Sequence, residues 1–69
     1  MYLQNIGANI RDARVDQRLS RQDLADASGV SDPALALIEH GEQHPSLSTV
    51  AKLASVLRIN LPDLAEASR

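Results

Sequence analysis

Two histidines close together have the widest chemical range of any side chains in this sequence. His40 and His44 lie four residues apart, with glutamates beside them. On one continuous helix that spacing would put both imidazoles on the same face, where they could bind a metal ion such as zinc. Gly41 lies between them and Pro45 follows, and both residue types interrupt helices. The spacing therefore predicts no metal site.

The other polar residues do not indicate catalysis either. Ser, His and Asp all occur, but none lies in a nucleophile-elbow pattern, and no glycine-rich phosphate loop is present. A helical chain of 69 residues leaves little room for a substrate pocket of the usual few hundred cubic ångströms. We predict that the chain is not an enzyme and uses no cofactor.

Cationic side chains near Ser20 suggest a different chemistry, the binding of phosphate. Ser20 and Asp23 have the spacing of a capping box, which predicts a helix that begins there. The free N–H groups and the dipole at such an amino end attract anions. Arg21 stands at this end, with Arg18 and Gln22 beside it, so these three side chains can reach a bound phosphate.

Composition limits the fold and the location. The chain has 69 residues, 43% of them apolar, which predicts one domain over residues 1–69 with a core from about 6 to 64. It lacks Cys, Phe and Trp, so aliphatic side chains must fill that core. No apolar run approaches the roughly 20 residues that span a bilayer, and no signal peptide is evident. We predict a cytoplasmic protein with no membrane partner.

Residues 19–41 have the pattern of two short helices joined by a tight turn. The first helix opens at Ser20 and ends at Gly29, where glycine accepts a left-handed backbone. The second opens at Ser31 or Asp32, and the sequence leaves open which one is the cap. This layout is a helix-turn-helix, which can place its second helix in the major groove of DNA.

Three further helices complete the prediction. Apolar residues at helical spacing predict helix one over about residues 6–18. Helix four starts at about Ser46 and continues to Leu57, and Asn60 followed by Pro62 opens a short fifth helix. No strand pattern or repeat appears. The sequence predicts an all-α domain of five short helices.

A set of segments in fixed order and spacing carries a family resemblance. They are IGANIRDAR, LSRQDLADASGVS, Ile38-Glu39 followed by Gly41, Pro45-Ser46-Leu47, and LASVLRINLPDL. Together they resemble the lambda-repressor/Cro class of helix-turn-helix domains, the Xre family, over nearly the whole chain. The resemblance implies a compact five-helix lambda-repressor-like fold with the helix-turn-helix at helices two and three.

The resemblance also implies an ion pair between Arg14 on helix one and Glu39 on helix three. Both residues flank the apolar faces of their helices, so both are expected to be at least partly buried. Burying one of them alone would cost several kcal/mol. The alternative is two independent surface charges. In either case the role is structural.

In the family, the outward face of helix three enters the major groove. In this chain that face carries few groups able to bond base edges, and its residues are Asp32, Pro33, Ala36, Leu37 and His40. Asp32 can accept from the amino group of cytosine, while Ala36 and Leu37 can touch thymine methyls. Such a face predicts weakly specific reading of sequence.

Phosphate contacts show the same weakness. Family members often carry a phosphate-contacting glutamine where Arg21 lies, and Lys or Arg in the loop after helix three. This chain has Glu42 and Gln43 in that loop, and His44 is charged only when protonated. The whole chain has a formal charge of −2, which argues against tight, salt-sensitive binding.

The first function hypothesis is a bacterial or phage DNA-binding regulator that acts on double-stranded DNA and associates with the nucleoid. It would bind a two-fold operator as a homodimer, because one domain covers a half-site of only about 4–6 base pairs. Helix five, with Leu61 and Leu64, is the expected dimer contact. The chain would stand alone or precede a further sensor domain.

The second hypothesis is a protein-interaction module that kept the fold and lost the DNA readout. Its binding surface would be the apolar, acidic face of helix three, centred on Leu37. The two hypotheses differ in whether binding depends on the arginines at residues 18 and 21 or on that leucine.

Overall fold

The computed structural model describes residues 5–66 and places five helices in them. In chain order these are α1 (Ile6–Asp16), α2 (Arg21–Ser28), α3 (Asp32–Glu39), α4 (Leu47–Leu57) and α5 (Leu61–Glu66). No strand occurs between residues 5 and 66, and the predicted all-α, five-helix fold with a helix-turn-helix at α2 and α3 is confirmed. None of these helices is both long and apolar enough to cross a membrane. The predicted domain limits of 1 and 69 lie outside the described residues.

Local capping explains where α2 and α3 begin. The Ser20 hydroxyl accepts from the Asp23 N–H at 2.9 Å, and the Asp23 carboxylate accepts from the Ser20 N–H at 3.1 Å, completing the predicted capping box. Gly29 ends α2 with a left-handed φ of 79°. Ser31, rather than Asp32, caps α3, because the Ser31 hydroxyl accepts a hydrogen bond from the backbone N–H of Ala34 at 3.3 Å. The open choice of cap is thereby decided.

The predicted end of helix one at residue 18 is wrong by two residues. The helix ends at Asp16, because Arg18 adopts a left-handed φ of 60° that an α-helix cannot contain. Arg58 ends α4 in the same way, with a φ of 59°. A non-glycine residue in this region costs roughly 1–2 kcal/mol. Two exposed arginines therefore occupy positions where glycine would be less strained.

The core consists of aliphatic side chains from all five helices. Its largest fully buried members are Ile6, Ile10, Leu24, Leu35, Ile38, Val50, Leu53, Leu57 and Leu64. The expectation that Leu64 contacts a second subunit is wrong, because this side chain is 0% exposed and packs inside its own domain. Leu61 is half-buried against the same core.

A glycine sets the distance between α1 and α3. A Cβ atom at Gly7 would overlap the backbone carbonyl oxygen of Ile38. The two helices therefore cross in backbone contact at this point, and only glycine fits there without displacing α3. This crossing fixes how deeply the second helix of the helix-turn-helix sits against the core.

Polar side chains of α1 also hold the ends of α4 and α5. Asn9 is 5% exposed and donates from Nδ2 to the Leu64 carbonyl at 2.8 Å. Gln17 donates from Nε2 to the Leu57 carbonyl at 2.6 Å. Both carbonyls belong to the last turn of a helix, where no intrahelical N–H remains to bond them. α1 thus acts as a common support for the other helices.

Candidate nucleic-acid interface

An ion pair between α1 and α3 positions the helix-turn-helix. Arg14 donates from Nε to one Glu39 oxygen at 2.8 Å and from Nη2 to the other at 2.9 Å, as the family resemblance implies. The two side chains are only 14% and 4% exposed. The hydrogen bond to Glu39 raises the pKa of Arg14 above its ordinary value. Arg14 also donates to the Leu19 carbonyl at 2.9 Å, so one guanidinium joins α3 to the segment that leads into α2.

A second ion pair joins the first residues of α2 and α3. Arg21 donates from Nε to Asp32 Oδ1 at 2.7 Å, and its Nη2 lies 3.4 Å from Oδ2. Both side chains remain partly exposed, at 40% and 33%. The hydrogen bond to Asp32 raises the pKa of Arg21. Sequence reasoning assigned Arg21 to a phosphate and Asp32 to a base without pairing them; opposite charges at the first positions of consecutive helices were the available signal.

The outward face of α3 is open along most of its length. Leu37 is 40% exposed, Pro33 and His40 are also exposed, and Ala36 is half-buried. The inward face carries the fully buried Leu35 and Ile38, so the predicted division into two faces matches the observed burial. The residues that sequence reasoning placed on the outward face, Asp32, Pro33, Ala36, Leu37 and His40, all have some exposure.

The imidazole of His40 is held in one orientation. Its Nδ1 lies 2.7 Å from the Ala36 carbonyl oxygen. Because a carbonyl only accepts, Nδ1 must carry a proton in this contact, which leaves Nε2 as the atom available to an outside partner. The loop that follows presents exposed side chains at Glu42, Gln43 and His44. In the part of the chain that the structure describes, no group of three or more His, Cys, Asp or Glu residues could hold a metal ion.

The amino end of α2 keeps part of its capacity to bind an anion. The capping box uses the N–H groups of Ser20 and Asp23. The N–H groups of Arg21 and Gln22 stand in the first turn, where a helix offers no internal acceptor. The Gln22 side chain donates to Asp26 at 2.7 Å, so its amide is engaged within α2. Arg18, three residues before the first residue of α2, is exposed.

The charge of this surface is unfavourable for binding phosphates at long range. Residues 18–44 contain two arginines and five carboxylates. Arg14 compensates Glu39, but Asp23, Asp26, Asp32 and Glu42 still exceed the two cations. Binding of a polyanion to this surface would therefore depend on short-range contacts at the end of α2 rather than on a broad positive field.

Comparison with known proteins adds independent support for this reading of the fold. A family model described as Helix-turn-helix matches residues 10–64. The chain is 39% identical over 57 residues to the HTH-type transcriptional regulator DdrOP3 of Deinococcus deserti, covering 83% of this chain and 44% of that protein. It is 35% identical over 57 residues to the phage CTXphi transcriptional repressor RstR of Vibrio cholerae, covering 83% and 51%.

An uncharacterised HTH-type transcriptional regulator of Mycobacterium tuberculosis is 38% identical over 54 residues, which span 78% of this chain but only 39% of that protein. The chain thus matches less than two thirds of the length of these curated relatives. Among solved structures, the restriction-modification controller protein C.AhdI of Aeromonas hydrophila matches with a TM-score of 0.84 and 32% identity, over 90% of this chain and 94% of that one.

The clp gene regulator ClgR of Corynebacterium glutamicum matches with a TM-score of 0.85 and 28% identity, over 93% of this chain and 68% of that one. The matched proteins are regulators, controllers and repressors, and none is described as an enzyme. The five-helix fold, the ion pair from α1 to α3 and these matches agree with the resemblance carried by the sequence. The chain therefore belongs to the Helix-turn-helix family of the Xre, lambda-repressor/Cro type, a family of DNA-binding transcriptional regulators.

Proposed function

We propose that this chain binds double-stranded DNA as a sequence-specific transcriptional regulator, with α3 lying in the major groove. One observation supports this proposal most strongly. The ion pair of Arg14 and Glu39 fixes α3 on its inner side, and no residue between 5 and 66 covers its outer side. A rigid helix with an open outer face fits the groove without rearrangement. The residues proposed to face the bases are those of the outward face: Asp32, Pro33, Ala36, Leu37 and His40.

Phosphate binding is assigned to the amino end of α2. The N–H groups of Arg21 and Gln22 lie in the first turn of α2, the exposed Arg18 lies close by in the chain, and together they can bind one segment of the DNA backbone. Arg21 contacts Asp32 through Nε and Nη2, which leaves Nη1 to donate to a phosphate oxygen. Gln43 and His44 in the loop after α3 provide a second, weaker contact on the other side of that helix.

Base reading is assigned chiefly to Asp32 and Leu37. Arg21 restrains the Asp32 carboxylate, which can accept from the amino group of a cytosine in the major groove. Leu37, with Pro33 and Ala36 beside it, offers apolar contact to thymine methyl groups. One domain with so few polar readers is weakly specific, so we propose a homodimer on a two-fold operator, where two half-sites combine their affinity.

We further propose that residues 1–69 form one domain that acts in the cytoplasm and associates with the nucleoid when bound to DNA. A sensor domain or a protein partner would add regulation, because the matched regulators are mostly longer than this chain. No cofactor is required for the binding mode described.

The test is fluorescence anisotropy with labelled DNA from upstream of the protein's own gene, at about 50 and 200 mM salt. Arg21→Ala and Arg18→Ala are expected to weaken binding to every DNA and to reduce the salt slope by roughly one unit each. Lys52→Ala is the matched control, because Lys52 lies in the groove between α4 and the far end of α2. No binding by folded protein at about 50 mM salt would contradict the proposal.

A second candidate is a protein-interaction module, favoured by one observation: a leucine 40% exposed on a face with few base-reading groups. For such a module, Leu37→Asp would abolish partner binding, and both arginine substitutions would leave it unchanged. For the DNA regulator the arginine substitutions have the larger effect. The same pair of measurements therefore separates the two functions.

A further inference from the structure

A small pocket lies on the side of the molecule formed by α1 and the junction of α4 with α5. Its volume is about 210 Å³, and it is lined by Asn9, Asp12, Ala13, Asp16, Gln17, Ile59 and Leu64. The apolar lining residues are Ala13 of α1, Ile59 of the segment between α4 and α5, and Leu64 of α5, whereas both carboxylates come from α1. A pocket of this size is smaller than the ~300 Å³ at which drug-sized sites begin. It suits one cationic side chain with its methylene groups.

Asn9 supplies a buried acceptor in this pocket. Its Nδ2 faces the carbonyl oxygens of Leu64 and Ala65, at 2.8 and 3.5 Å, so the amide can be oriented in only one way. Oδ1 then points away from α5 and has no hydrogen-bond partner in residues 5–66. Every fully buried side-chain oxygen in those residues has a hydrogen-bond partner. Because Oδ1 has none, it must keep some contact with solvent. Asn9 is nevertheless 95% buried, so this oxygen opens into the pocket that the residue lines.

An arginine adjacent in sequence to one of the lining residues forms no ion pair with residues 5–66. Arg58 immediately precedes the lining residue Ile59, is exposed, and makes no ion pair within residues 5–66. Its left-handed backbone turns the chain between α4 and α5. Val15, 55% exposed, lies one turn from Asp12 and adds apolar surface beside the carboxylate. One edge of the molecule thus carries both an acceptor pocket for a cation and an exposed cation.

We propose that this edge is the interface with a second copy of the chain, in which each Arg58 enters the other copy's pocket. The guanidinium pairs with Asp12 and donates to Asn9 Oδ1, while its methylene groups pack on Ile59. A two-fold axis makes the contact reciprocal, because a surface with both partners of a pair is complementary to itself. This inference rests on the homodimer of the proposed function and says where its two subunits touch. The subunit contact lies at the pocket, and not at the side chain of Leu64, which is buried in its own domain.

Charge reversal tests the contact by sedimentation velocity of the full chain. Arg58→Asp and Asp12→Arg are each expected to raise the dimer Kd by about tenfold or more, and the double variant to recover to within about threefold of the original. Aspartate tolerates a left-handed backbone, so Arg58→Asp keeps the turn. Lys52→Asp, on the same helix as the turn but away from the pocket, is the matched control and should leave the Kd unchanged. Circular dichroism melting confirms that each variant is folded.

Three results would overturn the proposal: single variants with an unchanged dimer Kd, a double variant that does not recover, or an original chain that is monomeric at millimolar concentration. Amide shifts at Asn9 on addition of ethylammonium, with an unchanged dimer, would instead assign the pocket to a free small cation. Binding to a half-site duplex is measured in parallel. If Arg21→Ala weakens that binding while Arg58→Asp leaves the dimer intact, the DNA function stands and this interface falls.

Discussion

Arg21 and Asp32, the first residues of α2 and α3, form an ion pair with 2.7 Å between Nε and Oδ1. The pair joins the side chain that we propose to bind a phosphate to the side chain that we propose to read a base. It restrains both groups, and it also cancels the charge that would attract DNA. The balance between these effects determines how the surface of the helix-turn-helix behaves.

Replacing Asp32 by asparagine is expected to raise affinity for DNA of random sequence by roughly threefold, because an exposed charge of this kind is worth less than about 1 kcal/mol. The salt slope should steepen by up to about one unit as Arg21 becomes free to bind a phosphate. Preference for an operator with cytosine at the contacted position should fall. Anisotropy titrations with both DNAs measure the two effects, and Asp63→Asn on α5 is the control. Unchanged affinity for random DNA would show that the pair does not compete with phosphate.

Removing Glu39 is expected to destabilise the domain more than removing an exposed carboxylate. Glu39→Ala leaves the largely buried Arg14 without its partner, which costs about 3 kcal/mol. The pair Arg14→Met with Glu39→Leu should recover most of that loss, since no buried charge then remains. Urea unfolding gives the free energies, with Glu42→Ala as the exposed control. Equal losses for Glu39→Ala and Glu42→Ala would contradict the structural role of the pair.

Gly7→Ala is expected to destabilise the domain by about 1–3 kcal/mol, because the added methyl group overlaps the Ile38 carbonyl where α1 crosses α3. Helix propensity alone would predict a gain of up to about 1 kcal/mol. The sign of the change therefore distinguishes steric contact from propensity. Thermal unfolding measures it, and Ala8→Gly at the exposed neighbouring position gives the size of the propensity effect. A stabilised Gly7→Ala would mean that α1 and α3 are farther apart.

Arg18→Gly is expected to stabilise the fold by about 0.5–1 kcal/mol, because glycine accepts a φ of 60° with less strain. The same substitution should weaken DNA binding, because it removes the proposed phosphate contact. Arg18→Ala removes the same cation but keeps the strain, so it should weaken DNA binding without the gain in stability. Paired unfolding and anisotropy measurements test this separation. Arg18→Gly with unchanged affinity for DNA would remove Arg18 from the interface.

Short-range features were predictable because the groups involved lie within one turn of each other in the chain. The capping box of Ser20 and Asp23 and the glycine stop at Gly29 are visible as letters at fixed spacing, and both are present. The left-handed Arg18 was missed, since an arginine gives no signal of a helix end. Helix one was therefore extended two residues too far.

Contacts between distant segments needed the folded chain. Asn9 and Gln17 look like ordinary polar residues of α1, and only the docking of α4 and α5 shows that they bond the carbonyls of Leu64 and Leu57. Leu64 is a similar case. From the sequence, an apolar residue on α5 suggested a subunit contact, but the orientation of α5 buries Leu64 in the core of its own domain. Side chains far apart in sequence meet through packing, which periodicity cannot specify.

The sequence by itself determined the five helices, the capping box of α2, the family and the two faces of α3, because hydrophobic spacing and capping act over a few residues. The tertiary structure decided which charges neutralise one another: Arg21 pairs with Asp32, whereas Arg58, next in sequence to the pocket residue Ile59, forms no ion pair within residues 5–66. Whether two charged side chains form an ion pair depends on the distance between them in space, and that distance is fixed only when the helices pack.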